Sequence, residues 1–287
     1  MKYGIMEAFR MHSSQMEYGL AADGDRISLF SKAGKLGFQG IEFGIGLDYR
    51  EDPLWTGMGK LRQEMKEAAQ ATGVEAASIC LHLLNYRENS PASDASEHRE
   101  TADEIIRKTI EACAHIGASV ILVPFFGTAS LKSEDQIQRL MDEMKRLSPI
   151  AEDKKVCLGL ETSLNADDML RIIKAIGSDY VQVYFDTGNT AGIGYDIIQE
   201  IEALGRHIIQ THIKDSPGGT LGEGKIDFEV AIGAFKKVGF GGYLMLETPS
   251  RGESAAAAVE NLGHIKRIVE RQASLKEDLR TDVLEFL

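Results

Sequence analysis

Short apolar runs and longer amphipathic stretches alternate along this chain from end to end. Strand-like runs fall at 2–6 (KYGIM), 40–46 (GIEFGIG), 75–82 (EAASICLH) and 120–126 (VILVPFF). Four more lead into GLETS, FDTGN, HIKDS and LMLETP in the second half. Most are nearly continuous in apolar residues, as expected of strands covered on both faces of a parallel sheet. Helical spacing of apolar positions predicts helices over 25–35, 59–71, 96–116, 133–147, 167–176, 196–204, 227–238 and 254–271. Gly37, Gly73 and Gly117 supply C-terminal stops, and SEDQ at Ser133 and NADD at Asn165 place acceptors and acids at helix starts.

Eight strand–helix units of about 36 residues each account for the whole length, the rhythm of an α/β (β/α)8 TIM barrel. The expectation is a single domain over 1–287, without linker or low-complexity segment. It carries an additional C-terminal helix over 272–287, whose apolar positions (Leu275, Leu279, Val283, Leu284, Leu287) suit packing on the barrel or on a second subunit. The rival fold, a doubly wound dinucleotide-binding sheet, needs a Gly-rich turn after its first strand. The segment there reads EAFRMHSSQ and has none.

Composition narrows the function classes. The apolar fraction of 43% and charged fraction of 26% are those of a globular protein with a substantial core. No signal-peptide pattern opens the chain and no apolar run is long enough for a membrane span, so no membrane association is expected. Cys80, Cys113 and Cys157 are widely spaced and odd in number, which reads as buried free thiols in a reducing cytoplasm. A net charge of −12 with scattered Lys and Arg argues against a nucleic-acid partner. A small anionic ligand remains compatible, because a few local cations can bind one.

The candidate chemistry sits on the last four strands. Glu161, Asp186, His212 and Glu247 each lie at or near a strand end, where a (β/α) barrel gathers side chains on one face. A lone acid at such a position commonly caps a helix or holds an Arg. Four metal-capable groups on four consecutive strands point instead to a divalent-cation site. Three oxygens and one nitrogen suit one ion of the Mn²⁺ or Mg²⁺ type, with Co²⁺ or Zn²⁺ as alternatives. Such an ion would hold two vicinal oxygens of an α-hydroxy-ketone and acidify the neighbouring C–H. Glu161 and Glu247, on the fifth and eighth strands, would flank the sugar as paired base and acid.

GLETS, FDTGN, HIKDS, GEGKIDF (residues 222–228) and LMLETP, in this order, resemble the xylose-isomerase-like TIM barrels of the sugar and sugar-phosphate isomerase/epimerase group. The resemblance implies that Glu161, Asp186, His212 and Glu247 bind a metal, commonly Mn²⁺, and that the two Glu act as acid and base on a small carbohydrate. It also implies a homo-oligomer, dimer or tetramer. Free-ketose 3-epimerases carry a His and an Arg where this chain has Asn189 and Gly218. The ribulose- and xylulose-5-phosphate 3-epimerases are more similar, through HIKD, GEGKIDF and the ICLHLLNYRENS segment. The expected activity is a metal-dependent isomerase or 3-epimerase of a ketose or ketose phosphate. An inosose-dehydratase-like lyase, a non-catalytic sugar-binding barrel and, weakest, an endonuclease IV-type nuclease are the rivals.

Further pocket candidates come from the strand ends. His82 follows Cys80 in strand alternation. Arg87, on the loop beyond, could reach a phosphate or stand solvated on the loop. Lys214 shares the face of His212, with Asp215 turned the other way. Asn189 follows Asp186. Glu42 on the second strand contacts substrate or orients a neighbouring Lys or His. His12 is a weak candidate for covering the pocket, and Tyr49 and Trp55 for an apolar wall or a subunit contact. The Gly222–Lys225 loop reads as a phosphate cradle or as a tight turn. His98, His115, His207 and His264 read as structural or surface residues.

Overall fold

In the computed structural model, residues 1–10, 17–22, 25–56, 59–250 and 254–285 are described; His12 lies outside them. Eight parallel strands close a barrel in chain order: β1 Lys2–Met6, β2 Gly40–Gly44, β3 Glu75–Cys80, β4 Val120–Phe125, β5 Cys157–Thr162, β6 Val181–Asp186, β7 Ile208–Ile213 and β8 Tyr243–Leu246. β1 pairs with both β2 and β8 and seals the ring. The main helices follow the strands: α1 Arg26–Leu36, α2 Lys60–Thr72, α3 Ser96–Ile116, α4 Glu134–Lys154, α5 Ala166–Ile176, α6 Ile197–Leu204, α7 Phe228–Lys237 and α8 Ser254–Glu285. This is the expected (β/α)8 barrel.

Local chemistry explains most boundaries. Asp25 accepts the Ser28 N–H at 2.9 Å to start α1, and Asn165 accepts the Asp168 N–H at 2.9 Å to start α5. Gly37, Gly73 and Gly117 close α1, α2 and α3 in the left-handed conformation.

Four boundaries differ from the sequence expectation. β2 stops at Gly44, before Gly46. β3 stops at Cys80, so His82 opens a short 3-10 turn, His82–Asn85, instead of ending the strand. The Leu81 N–H is drawn to the Leu122 carbonyl at 3.1 Å, and the chain turns there. α4 runs past 147 to Lys154 with Pro149 inside it. Pro149 cannot donate to the Lys145 carbonyl, and the Ser148 hydroxyl donates to it at 3.3 Å instead. The expected separate helix over 272–287 is the continuation of α8 through Glu285, since neither Gly nor Pro interrupts 264–285.

The core has two shells. Leu, Ile and Phe side chains fill the space between strands and helices. Inside the ring, Met6, Ala77, Cys80, Val120, Leu122, Tyr184, Tyr243 and Met245 pack against one another. Tyr243 reaches inward because β2 offers Gly40, where a Cβ would lie 2.5 Å from its ring. The lumen is therefore filled, and a ligand site must be built at the C-terminal mouth. A small hairpin, Phe9–Arg10 against Glu17–Tyr18, lies across part of that mouth. It is tied to the end of β8 through a Tyr18–Pro249 bridge and the Gly19 N–H to Thr248 carbonyl bond of 3.0 Å. Cys80, Cys113 and Cys157 are free and buried. Among the described residues, no helix is long and apolar enough to cross a membrane.

Candidate metal and catalytic centre

β6 and β7 place Asp186 directly beside His212, and β8 places Met245 beside His212, with Glu247 two residues further on. The two-residue period points all these side chains to the inner face. Glu161 arrives from the end of β5. One donor atom from each of Glu161, Asp186 and His212 lies within 4.8 Å of the others. Glu247 joins them, its Oε2 3.3 Å from His212 Nδ1. All four residues are at most 6% exposed.

Burying three carboxylates together is costly without compensating positive charge. Lys214 supplies part of it: its ammonium lies 2.6 Å from Glu247 Oε2 and 2.9 Å from Asp186 Oδ2. Burial and the Asp186 charge push Glu161 up to about 8. Burial also raises Asp186, with Lys214 pulling against it. Glu247 is likewise raised by burial, but Lys214 and His212 outweigh this and leave it lowered. Burial would lower His212, yet Glu247 and Glu42 outweigh it and raise the ring to about 10.

Two buried atoms in the middle of this group lack a hydrogen bond: His212 Nδ1 and Asp186 Oδ2, 3.8 Å apart. The Lys214 ammonium is close to Asp186 Oδ2 but out of hydrogen-bond line, so that contact is ionic only. Orphaned polar atoms of this kind are rare in a native interior. A hard-to-borderline divalent ion satisfies both at once, and the mixed oxygen–nitrogen donor set fits one.

Behind the group stands a polar network. His212 Nε2 bonds Glu42 Oε1 at 2.6 Å, which leaves Nδ1 for the centre. Glu42 Oε2 accepts from Ser78 Oγ at 2.6 Å and Tyr184 OH at 2.8 Å. Gln210 Nε2 donates to Ser78 Oγ at 2.7 Å and to Tyr184 OH at 3.2 Å. Both carboxylate oxygens of Glu42 are thus committed to protein partners, His212 among them. Ser78, Tyr184 and Gln210 were not anticipated; the one sequence signal is that each occupies an inward strand position.

Asn189 Nδ2 donates to Glu161 Oε1 at 2.8 Å, while its backbone N–H caps Asp186 Oδ1 at 2.7 Å. Lys214 is in the centre. Arg87 is not: its side chain is 56% exposed and pairs with Asp94 at 2.5 Å, because the 3-10 turns after β3 carry it outward. Tyr49 and Trp55 are buried against each other, ring centroids 4.8 Å apart, within the loop after β2. The Gly222–Lys225 loop is not free to cradle phosphate. The N–H groups of Gly222 and Gly224 both donate to Asp215 Oδ2 at 2.9 Å, so an internal carboxylate fills the cradle.

A family model described as Xylose isomerase-like TIM barrel matches residues 30–268. L-ribulose-5-phosphate 3-epimerase of Escherichia coli (strain SMS-3-5 / SECEC) is 29% identical over 244 residues, 79% of this chain and 84% of that protein. The protein of the same name from Salmonella heidelberg (strain SL476) is 29% identical over 242 residues, again 79% and 84%. Among solved structures, an L-ribulose 3-epimerase aligns with a TM-score of 0.79 at 20% identity, covering 96% of this chain and 97% of that one. A 3-keto-D-glucoside 4-epimerase from E. coli aligns at 0.75 and 19% identity, covering 93% and 99%. At these identities the structural matches speak to fold alone.

Proposed function

The chain belongs to the xylose isomerase-like TIM barrel family, and on that premise we propose that it is a divalent-metal-dependent 3-epimerase of a ketose or ketose phosphate. The observation that carries this reading is the shared centre of Glu161, Asp186, His212 and Glu247, with orphaned donor atoms facing one another. Similarity to the L-ribulose-5-phosphate 3-epimerases favours a phosphorylated pentulose.

Glu161, Asp186, His212 and Glu247 would hold the ion, Mn²⁺ first among the candidates. When bound, it would draw electron density from the substrate carbonyl and so acidify the adjacent C–H. The two glutamates come from β5 and β8, three strands apart around the mouth, and differ in environment. Lys214, 2.6 Å from its Oε2, favours the ionised form of Glu247, ready to take the C3 proton. In the metal-free protein burial and Asp186 make Glu161 the more readily protonated of the two, so it is the one that would carry a proton to the opposite face. The C–H electron pair becomes the C2–C3 π bond as the C2–O2 π pair moves onto O2, and both pairs return, one to O2–C2 and one to the new C3–H bond, when the second proton arrives at C3. Asn189 holds Glu161 and Lys214 holds Glu247 in line for these transfers.

The test is solvent exchange in D₂O with Mn²⁺ added, using L-ribulose and L-ribulose 5-phosphate. The parent protein should incorporate one deuteron at C3. Glu247→Gln should fold normally and lose about 10²–10⁴-fold in exchange rate. Exchange at the parental rate in that variant, or a dehydrated product in place of the epimer, would refute the reading.

A further inference from the structure

His82 stands at the mouth with one ring nitrogen committed and the other bare. Its Nδ1 lies 3.5 Å from Cys80 Sγ. Its Nε2 is buried and has no hydrogen-bond partner. The ring is clamped: Phe9 stacks on it at 4.6 Å between centroids and 27° between planes, and Phe9 in turn stacks on Tyr18. Its opposite edge faces Gly44, where a Cβ would lie 3.1 Å from both Cδ2 and Nε2. Any larger residue there would crowd the bare nitrogen. Gly44 is two residues beyond Glu42 on β2, so the two share the inner face.

The bare nitrogen is fixed in chemical character as well as in place. Burial pushes His82 down to about 4, so the ring is neutral at pH 7 and carries a single N–H. Burial, joined by the charges of Glu42 and Glu161, holds the Cys80 thiol well above its usual range, so the S–H is intact. An S–H donating to the imidazole Nδ1 lone pair would place the ring proton on Nε2.

We propose that His82 is a substrate-selecting residue: its Nε2–H donates to one hydroxyl or carbonyl oxygen of the bound sugar. Cys80 is the positioning residue that sets the tautomer, and Phe9 with Gly44 holds the ring in its slot. This deepens the epimerase reading and rests on it, since it presumes that a polyhydroxy ketone fills the mouth. A donor held without a partner discriminates strongly, because an analogue lacking the matching oxygen leaves the group buried and unpaired.

The experiment has two arms on the Mn²⁺-loaded protein. In the first, ¹⁵N-histidine NMR should find His82 protonated on Nε2 in the parent protein and mixed between tautomers in Cys80→Ala. A role limited to packing would not move this signal. In the second, KM and kcat are measured with L-ribulose and L-ribulose 5-phosphate. His82→Phe keeps the stack on Phe9 but removes the donor, and should raise KM about tenfold with kcat changed less than threefold. His82→Gln, whose amide nitrogen reaches the same point, should restore most of the loss, and His82→Asn should not. An active parent whose KM ignores His82→Phe, or a ring protonated on Nδ1, overturns this inference alone. A parent protein that binds neither pentulose overturns it together with the epimerase reading.

Discussion

Two buried aspartates lie at or just past neighbouring strand ends and meet opposite fates. Asp186, closing β6, is 3% exposed; Asp215, two residues after β7, is 2% exposed. Asp215 is fully satisfied by its own loop. Its Oδ1 accepts from Ser216 and Ile226, and its Oδ2 from Gly222 and Gly224. Asp186 has one oxygen bonded to the Asn189 N–H and the other facing an ammonium and an orphaned imidazole nitrogen. Burial of a carboxylate is therefore not what marks a site. The mark is what the fold leaves unfinished around it: a structural acid has its donors supplied by the chain, and a functional one has a place left for something else.

The sharpest way to break this comparison is Asp186→Asn. The amide still caps the Asn189 N–H and keeps the volume, so the metal-free protein should melt within about 2–4 °C of the parent. Mn²⁺ affinity should fall by more than the roughly 10–100-fold that losing a partner behind a ligand costs. Exchange activity should fall with it. Parental Mn²⁺ binding by this variant, read by calorimetry, would place the ion elsewhere and dissolve the contrast.

The next largest effect is on pH. In the metal-free protein Glu161 is raised to about 8 and His212 to about 10. Both groups hold a proton at pH 7, and each must lose it to present a lone pair. Raised values mean that the proton-bound form dominates below them, so affinity must climb with pH. Uptake should release close to two protons per ion below about pH 8, and one between about pH 8 and 10. The apparent affinity then changes by up to about 100-fold per pH unit in the lower range. Calorimetry in buffers of different ionisation enthalpy counts these protons. A pH-independent affinity from 6 to 8 would show that the imidazole and Glu161 are not displaced from their protons.

Much of this was legible in the sequence. The alternation of apolar runs gave the barrel, and four acids and imidazoles at consecutive strand ends gave the centre, because strand parity alone decides which face they share. Glu42 was legible as an inward acid but not as the partner of His212, which is 170 residues away. Ser78, Gln210 and Tyr184 were invisible because a neutral side chain carries no signal until the ring closes and brings three strands to one carboxylate. Arg87 stayed open for the opposite reason: its charge allowed a phosphate contact or a solvated loop position, and two 3-10 turns carry it outward to Asp94. The Gly222–Lys225 loop stayed open between a phosphate cradle and a tight turn, since a cradle of N–H groups has the same sequence whether its anion comes from solvent or from the chain, here from Asp215.

That last ambiguity sets the smallest and most discriminating prediction. Asp215→Ala strips a loop of the acceptor for four backbone N–H groups. Water can reach some of them, so the expected loss is about 2–3 kcal/mol and not the sum of four bonds. For a chain of this size that lowers Tm by roughly 4–12 °C. Gly224→Ala should reproduce the effect by a separate route, because a Cβ there would sit 2.1 Å from Asp215 Oδ1 and force the carboxylate out of its nest. His212 is held by β7 and by Glu42, neither of which depends on the loop, so Mn²⁺ affinity should stay within about tenfold of the parent. The two aspartates would then show opposite phenotypes: one loses the ion and keeps its stability, the other loses stability and keeps the ion. If Asp215→Ala abolishes Mn²⁺ binding while Tm holds, then satisfaction by backbone donors does not separate a structural acid from a functional one in this barrel.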